Sequence, residues 1–260
     1  MARSSASGQE LEVAVADGGS VHAELFLPGG GAGAGGAGDR SGSGSGSGSL
    51  PGVVVLHESF GLNDDVRRIA ARFADAGYGA IAPSLYSHGR RIVCLSRVML
   101  DMVRGTFARE VADVCAVRDA LAAREEIDAT RIAVAGFCQG GGFALIAGSE
   151  GGFSAAAVNY GDVPESRAKL DGLCPVVASY GGRDRMFGRD MAARLDGHLQ
   201  ALGVPGDVKV YDGAGHSFFN QHEGWQGWLA RLPTPMSVGY DEAAAEDGWR
   251  RMLAFFSEHV

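Results

Sequence analysis

No apolar run in the 260-residue sequence reaches the ~18 residues a helix needs to cross a bilayer. The opening stretch, MARSSASGQELEV, lacks the apolar core of a secretory signal. Cysteine is sparse. Cys94, Cys115, Cys138 and Cys174 are widely separated and show no C-x-x-C spacing, which suggests neither a zinc site nor a disulfide framework. Positive charge is in deficit, with 23 Lys and Arg against 31 Asp and Glu, a net charge of −8 and no basic cluster. That balance argues against nucleic acid or an acidic membrane surface as the main partner. The expectation is a cytoplasmic protein with reduced thiols, where a reactive cysteine is tolerated.

The length allows one large α/β domain or two small ones, and a core that needs no covalent staples. Residues 11–16 and 21–27 read as two strands around Asp17-Gly18-Gly19-Ser20, an antiparallel hairpin. Residues 29–49 are almost entirely Gly, Ala and Ser, a flexible insertion within one domain spanning 1–260. A cloning linker has the same composition, but its internal position fits an insertion better.

Beyond the insertion, apolar strand patterns at 52–56, 78–82, 131–135, 155–160, 175–180 and 207–211 alternate with helical patterns. The helices are expected over 63–76, 92–105, 107–124, 189–202 and 240–259, with Phe143 to Ala147 a further helical stretch. This alternation predicts a mostly parallel central sheet covered by helices on both faces. In such sheets a site forms at the carboxyl ends of the strands. Glu58, Cys138, Asp184 and His216 each follow a separate apolar strand.

Arg131 to Gly142, RIAVAGFCQGGG, has the form of a nucleophile elbow, a strand turning sharply into a helix with small residues around one nucleophile. Side chains at Gly136 and Gly140 would collide with the neighbouring strand and helix. The nucleophile is a thiol, with a helix N-terminus beside it. Two other readings stay open on the turn alone: cysteine is often inert core, and glycine-rich strand-to-helix turns also occur in nucleotide-binding folds.

Cys138, Asp184 and His216 follow the chain order nucleophile, acid, histidine used by α/β-hydrolases. A thiol titrating near ~8.5 is mostly protonated at neutral pH and needs a base or a cation nearby. His216 is suited to move that proton, and Asp184 to hold the imidazole tautomer. The backbone N–H groups of Ser59 and Gln139 are candidates for an oxyanion hole. Singly, His216 is also a loop-capping residue and Asp184 an Asx-turn residue. His57-Glu58 begins like H-E-x-x-H but no second His follows, so no metal is expected. His88, His198, His222 and His259 show no partner in the sequence and are assigned to the surface.

With these residues in place, the blocks HESFG, GFCQGG, GGRD and GAGHSF resemble those of dienelactone hydrolases, from about Val53 to the C-terminal helix. The resemblance implies an α/β-hydrolase fold that opens small-molecule lactones or esters without metal or cofactor, as a monomer or small homo-oligomer. It implies a triad at Cys138, Asp184 and His216, with Glu58 accepting the thiol proton once substrate has bound. A salt-bridged carboxylate at the sheet edge is the plainer reading of Glu58. The family's aromatic pocket residues match Phe60 and Tyr160. One departure stands out: Asn220 occupies the position of an arginine that grips a substrate carboxylate. Arg97, Arg104 and Arg109 are candidates for a second such arginine. Residues 221–239, with Trp225 and Trp228, are either a cover for the pocket or core packing.

The leading expectation is therefore a cofactor-free thiol hydrolase working through an acyl-enzyme. A redox-sensing or ligand-binding protein on a hydrolase scaffold is the alternative, because a thiol at an elbow oxidises readily. An intact acid–histidine pair argues against it. A flavodoxin-like amidotransferase or stress-protein fold also puts a cysteine near a glutamate, but GGRD and the late GAGHSF fit it poorly.

Overall fold

The computed structural model describes residues 8–29, 49–86, 108–222 and 234–260. An eight-stranded sheet runs through it in the order β1-β2-β4-β3-β5-β6-β7-β8. The antiparallel edge comes first: β1 (Gln9–Ala14) and β2 (Ser20–Phe26) form a hairpin in which Val13 faces Val21, and β2 pairs antiparallel with β4 (Gly79–Pro83). The remaining neighbours are parallel: β3 (Leu50–Leu56), β5 (Ile127–Phe137), β6 (Ala155–Asn159), β7 (Val176–Gly181) and β8 (Gly206–Tyr211). This is the architecture the strand and helix alternation predicts. The expected helix over 92–105 and the Gly/Ser insertion at 30–48 lie outside the described residues.

The central strands are apolar over most of their residues because both faces of the sheet are covered. Side chains alternate along β3, with Val54 and Leu56 in one core and Val53 and Val55 in the other. The first core takes α2 (Ala108–Ala122), α3 (Gln139–Ala147) and α4 (Arg189–Leu202), through residues such as Val114, Phe143 and Leu195. The second takes α1 (Asp64–Asp75) and α5 (Glu242–His259), through Ile69, Phe73, Trp249 and Phe256. The N-terminus of α1 is capped by the Asn63 side chain, which accepts from the Val66 N–H at 3.1 Å, and that of α5 by Asp241 in the same way. Among the described residues no helix is long and apolar enough to cross a membrane.

Phe73 is completely buried between Tyr78, Trp249 and Phe256, with ring centroids 6.0, 4.6 and 6.1 Å away. Phe73→Ala is expected to cost about 3–5 kcal/mol, because α1 and α5 meet on this ring and cannot close the void without sliding on the sheet. Urea unfolding followed by circular dichroism measures it; a cost below about 1 kcal/mol would contradict this packing.

Two elements start four residues earlier than the sequence pattern indicates. β5 begins at Ile127, because residues 128–131, half-buried or exposed, continue the strand beyond the apolar stretch. α3 begins at Gln139, four positions before Phe143, so Gly140, Gly141 and Gly142 form helix. Glycine is a poor helix former, which hides this start from propensity. Close packing overrides propensity here. A Cβ at Gly140 would lie 2.6 Å from the carbonyl oxygen of Leu56, and one at Gly136 2.0 Å from that of Gly140.

Candidate active site

Parallel pairing of β3, β5, β7 and β8 within one sheet puts Glu58, Cys138, Asp184 and His216, each just past a strand, at the same carboxyl-terminal rim. Cys138 stands between β5 and α3 with φ 54° and ψ −118°, a conformation an L-residue adopts only under constraint. Tyr160 after β6 (φ 43°) and Ser217 after β8 (φ 58°) are also in positive φ. Strained backbone of this kind persists where surrounding packing over-determines it and concentrates at functional sites.

Asp184 and His216 are 3% exposed each. The Asp184 Oδ2 lies 2.6 Å from His216 Nδ1, and its Oδ1 accepts from the backbone N–H groups of Met186 at 2.9 Å and Phe187 at 3.0 Å. Burial alone would raise the Asp184 carboxyl, but the bond to His216 and those two N–H donors outweigh it and hold it below its usual range. Burial likewise opposes charge on His216. A charged Cys138 sulfur and Asp184 overcome that and raise the imidazole to about 10. The ring rests on Tyr160 and Phe187, with centroids 5.0 and 5.6 Å away. Its Nε2 is buried and makes no hydrogen bond among the described residues. Cys138, half-buried, shares with it a cleft of about 310 Å3 that Gln139, Tyr160, Asp162 and Phe187 also line.

Gln139 opens α3, so its N–H has no acceptor within the helix. Its side-chain Oε1 accepts from the Tyr86 hydroxyl at 2.9 Å. The same hydroxyl reaches the Ser59 carbonyl at 3.2 Å, tying both oxyanion-hole candidates to one side chain. His57 braces this turn from behind. Its Nε2 accepts from the Leu85 N–H at 3.0 Å, so Nδ1 carries the proton and donates to the Glu58 carbonyl at 2.6 Å.

Glu58 is buried, 5% exposed. Its Oε1 accepts from the Ser217 hydroxyl and its Oε2 faces His222 Nε2 at 3.3 Å. Burial raises its carboxyl; His222, Ser217 and His216 pull the other way without reversing it. The assignment of His222 to the surface is thus corrected: its side chain is 3% exposed. His198 and His259 also have partners, the Pro164 carbonyl at 3.0 Å and the Phe255 ring at 4.3 Å, while His88 lies outside the described residues.

Tyr160 lines the cleft, but Phe60 does not; its ring packs edge-on against His222, 5.5 Å between centroids. Asn220 is 1% exposed and fully engaged, accepting from the Tyr160 hydroxyl and donating to Asp65 Oδ2 at 2.6 Å. Arg109 pairs with Asp17 in the hairpin turn, away from the cleft. Arg97, Arg104, Trp225 and Trp228 lie outside the described residues.

The family model for the dienelactone hydrolase family matches residues 42–260. The chain belongs to the dienelactone hydrolase family. Its members are hydrolases of lactone and ester bonds, and the sheet described above is their fold. A protein of Salmonella typhimurium, provisionally named a carboxymethylenebutenolidase, is 30% identical over 226 residues, covering 81% of this chain and 78% of its own. A solved structure from Klebsiella pneumoniae, provisionally named a dienelactone hydrolase, matches at 27% identity and TM-score 0.71 over 96% of this chain and 98% of that one. A dienelactone hydrolase-like promiscuous phosphotriesterase from metagenomic libraries matches at 26% identity and TM-score 0.75, over 97% and 99%.

Proposed function

We propose that this dienelactone hydrolase family member opens a lactone or carboxylic ester through a thioester on Cys138, within a single α/β-hydrolase domain. The observation that carries the reading is the buried Asp184–His216 hydrogen bond, whose imidazole borders the same cleft as an elbow cysteine. The thiol proton passes to Glu58 as substrate enters, and Sγ attacks the carbonyl carbon. The N–H groups of Ser59 and Gln139 hold the oxyanion. The carbon–oxygen bond then breaks, and the proton from the thiol ends on the leaving oxygen. In the second half His216, held by Asp184, takes a proton from water. Hydroxide attacks the thioester, the carbon–sulfur bond breaks, and His216 returns the proton to sulfur. A charged sulfur favours charge on His216; acylation removes that influence and leaves the imidazole free to act as a base.

A sensor or binding protein needs a reactive thiol but no acid-held imidazole, so the Asp184–His216 pair favours hydrolysis. The test is a hydrolysis screen over cis- and trans-dienelactones, simple lactones and activated aryl esters. Turnover with transient acylation of Cys138 is expected. Complete inertness of the wild-type protein, together with a peroxide-reactive Cys138, would favour the sensor.

A further inference from the structure

His222 belongs to none of the sequence blocks around the site, yet it lies inside it. Its side chain is as buried as that of Glu58, 3% and 6% exposed, and Nε2 stands 3.3 Å from Glu58 Oε2. That is an ion-pair distance whose geometry falls short of a hydrogen bond, and neither ring nitrogen has a hydrogen-bond partner among the described residues. Leaving an imidazole buried and otherwise unsatisfied is costly unless a charge partner compensates it.

The first turn of α1 holds His222 in this place. Asp65 Oδ1 accepts from the Gln221 N–H at 3.1 Å, Asp65 Oδ2 accepts from Asn220, and Arg68 donates to the Phe219 carbonyl at 3.2 Å. Asn220 is also bonded to the Tyr160 hydroxyl. Residues 219–221 are thus clamped from two sides, and the next side chain meets Phe60 and Glu58.

We propose that His222 is a positioning residue, which holds the Glu58 carboxylate at the carboxyl-terminal rim of the sheet and keeps it in its charged form. The proposal rests on the reading that Glu58 receives the thiol proton, since only an ionised carboxylate can do so. The charged and titratable groups acting on Glu58 are His222, His216 and Asp65, with Ser217 as its hydrogen-bond donor, and Glu58 in turn acts on Tyr160. Burial favours the neutral acid and Asp65 adds to it; of the groups opposing them, His222 acts most strongly. Removing the imidazole leaves Ser217 and His216 against the burial of a carboxylate.

An infrared pH titration of the Glu58 carboxyl band, identified by its loss in Glu58→Gln, reads this charge without turnover. In His222→Gln the Glu58 midpoint is expected to rise by about one pH unit or more. The acid limb of kcat/KM on an activated ester should rise by the same shift. A folded variant with an unmoved Glu58 midpoint would overturn the proposal. If His222→Gln does not fold, His222→Asn carries the same titration. Failure of the wild-type protein to hydrolyse any ester would remove the role of Glu58 as proton acceptor, and the infrared midpoint would still decide whether His222 sets its charge.

Discussion

Cys138→Ala is expected to lower lactone or ester turnover by about 10^4-fold or more while leaving the fold intact. The magnitude follows from what the sulfur does. In the proposed route it supplies the attacking electron pair and also carries the acyl group, so its loss removes both half-reactions, leaving only binding and the oxyanion hole. Stability should change little, because Cys138 is half-buried at a turn held by backbone: its N–H donates to the Asn159 carbonyl at 3.0 Å, and its carbonyl accepts from the Gly141 N–H at 2.9 Å. Alanine keeps both bonds and the same positive φ. Stopped assays on the purified variant, with an unfolding curve beside them, check the two halves together. Retention of more than about a tenth of the wild-type rate would sink the thioester route.

Asp184→Asn is expected to slow turnover by about 10^3-fold or more, and in a diagnostic way. The amide that replaces the carboxylate can donate a hydrogen to Nδ1 in place of accepting one, which turns the imidazole to the tautomer unable to take a proton from water. In the proposed route attack by the thiol relies on Glu58, so the first half-reaction should survive better than the second. A burst of about one product per enzyme, with an acyl adduct on Cys138 visible by intact mass, is the predicted signature. Turnover without a burst, and with no adduct, would contradict the division of labour between Glu58 and His216.

The same variant carries a stability signature. Against its burial, the bond to His216 and two backbone N–H donors hold the Asp184 carboxyl below the ~3.9 of an unfolded aspartate. Its contribution is therefore present above ~3.9 and is lost as pH falls through the lowered folded value. Asp184→Asn should remove that acid-side loss. Chemical unfolding at a series of pH values measures it.

Local pattern in the sequence was enough for the sheet, most of the helices and the relative order of the chemical groups. Short, β-branched apolar runs such as GVVVL read as strands buried on both faces, and the residues just past parallel strands share one rim. What local pattern could not carry depends on contacts between distant segments. The glycines after Cys138 look like a loop by propensity, and only the Leu56 carbonyl pressing on Gly140 shows why a helix starts there without side chains. His222 sits in no motif and no periodic face, so nothing near it in the sequence reveals a partner. Its place is decided by Asp65, far back on α1, which grips the backbone beside it and turns it onto Glu58. Phe60 is placed by that same turn, against His222 and away from the cleft wall. Residue types and their order are written in the chain, whereas which buried charge meets which depends on how separate elements pack.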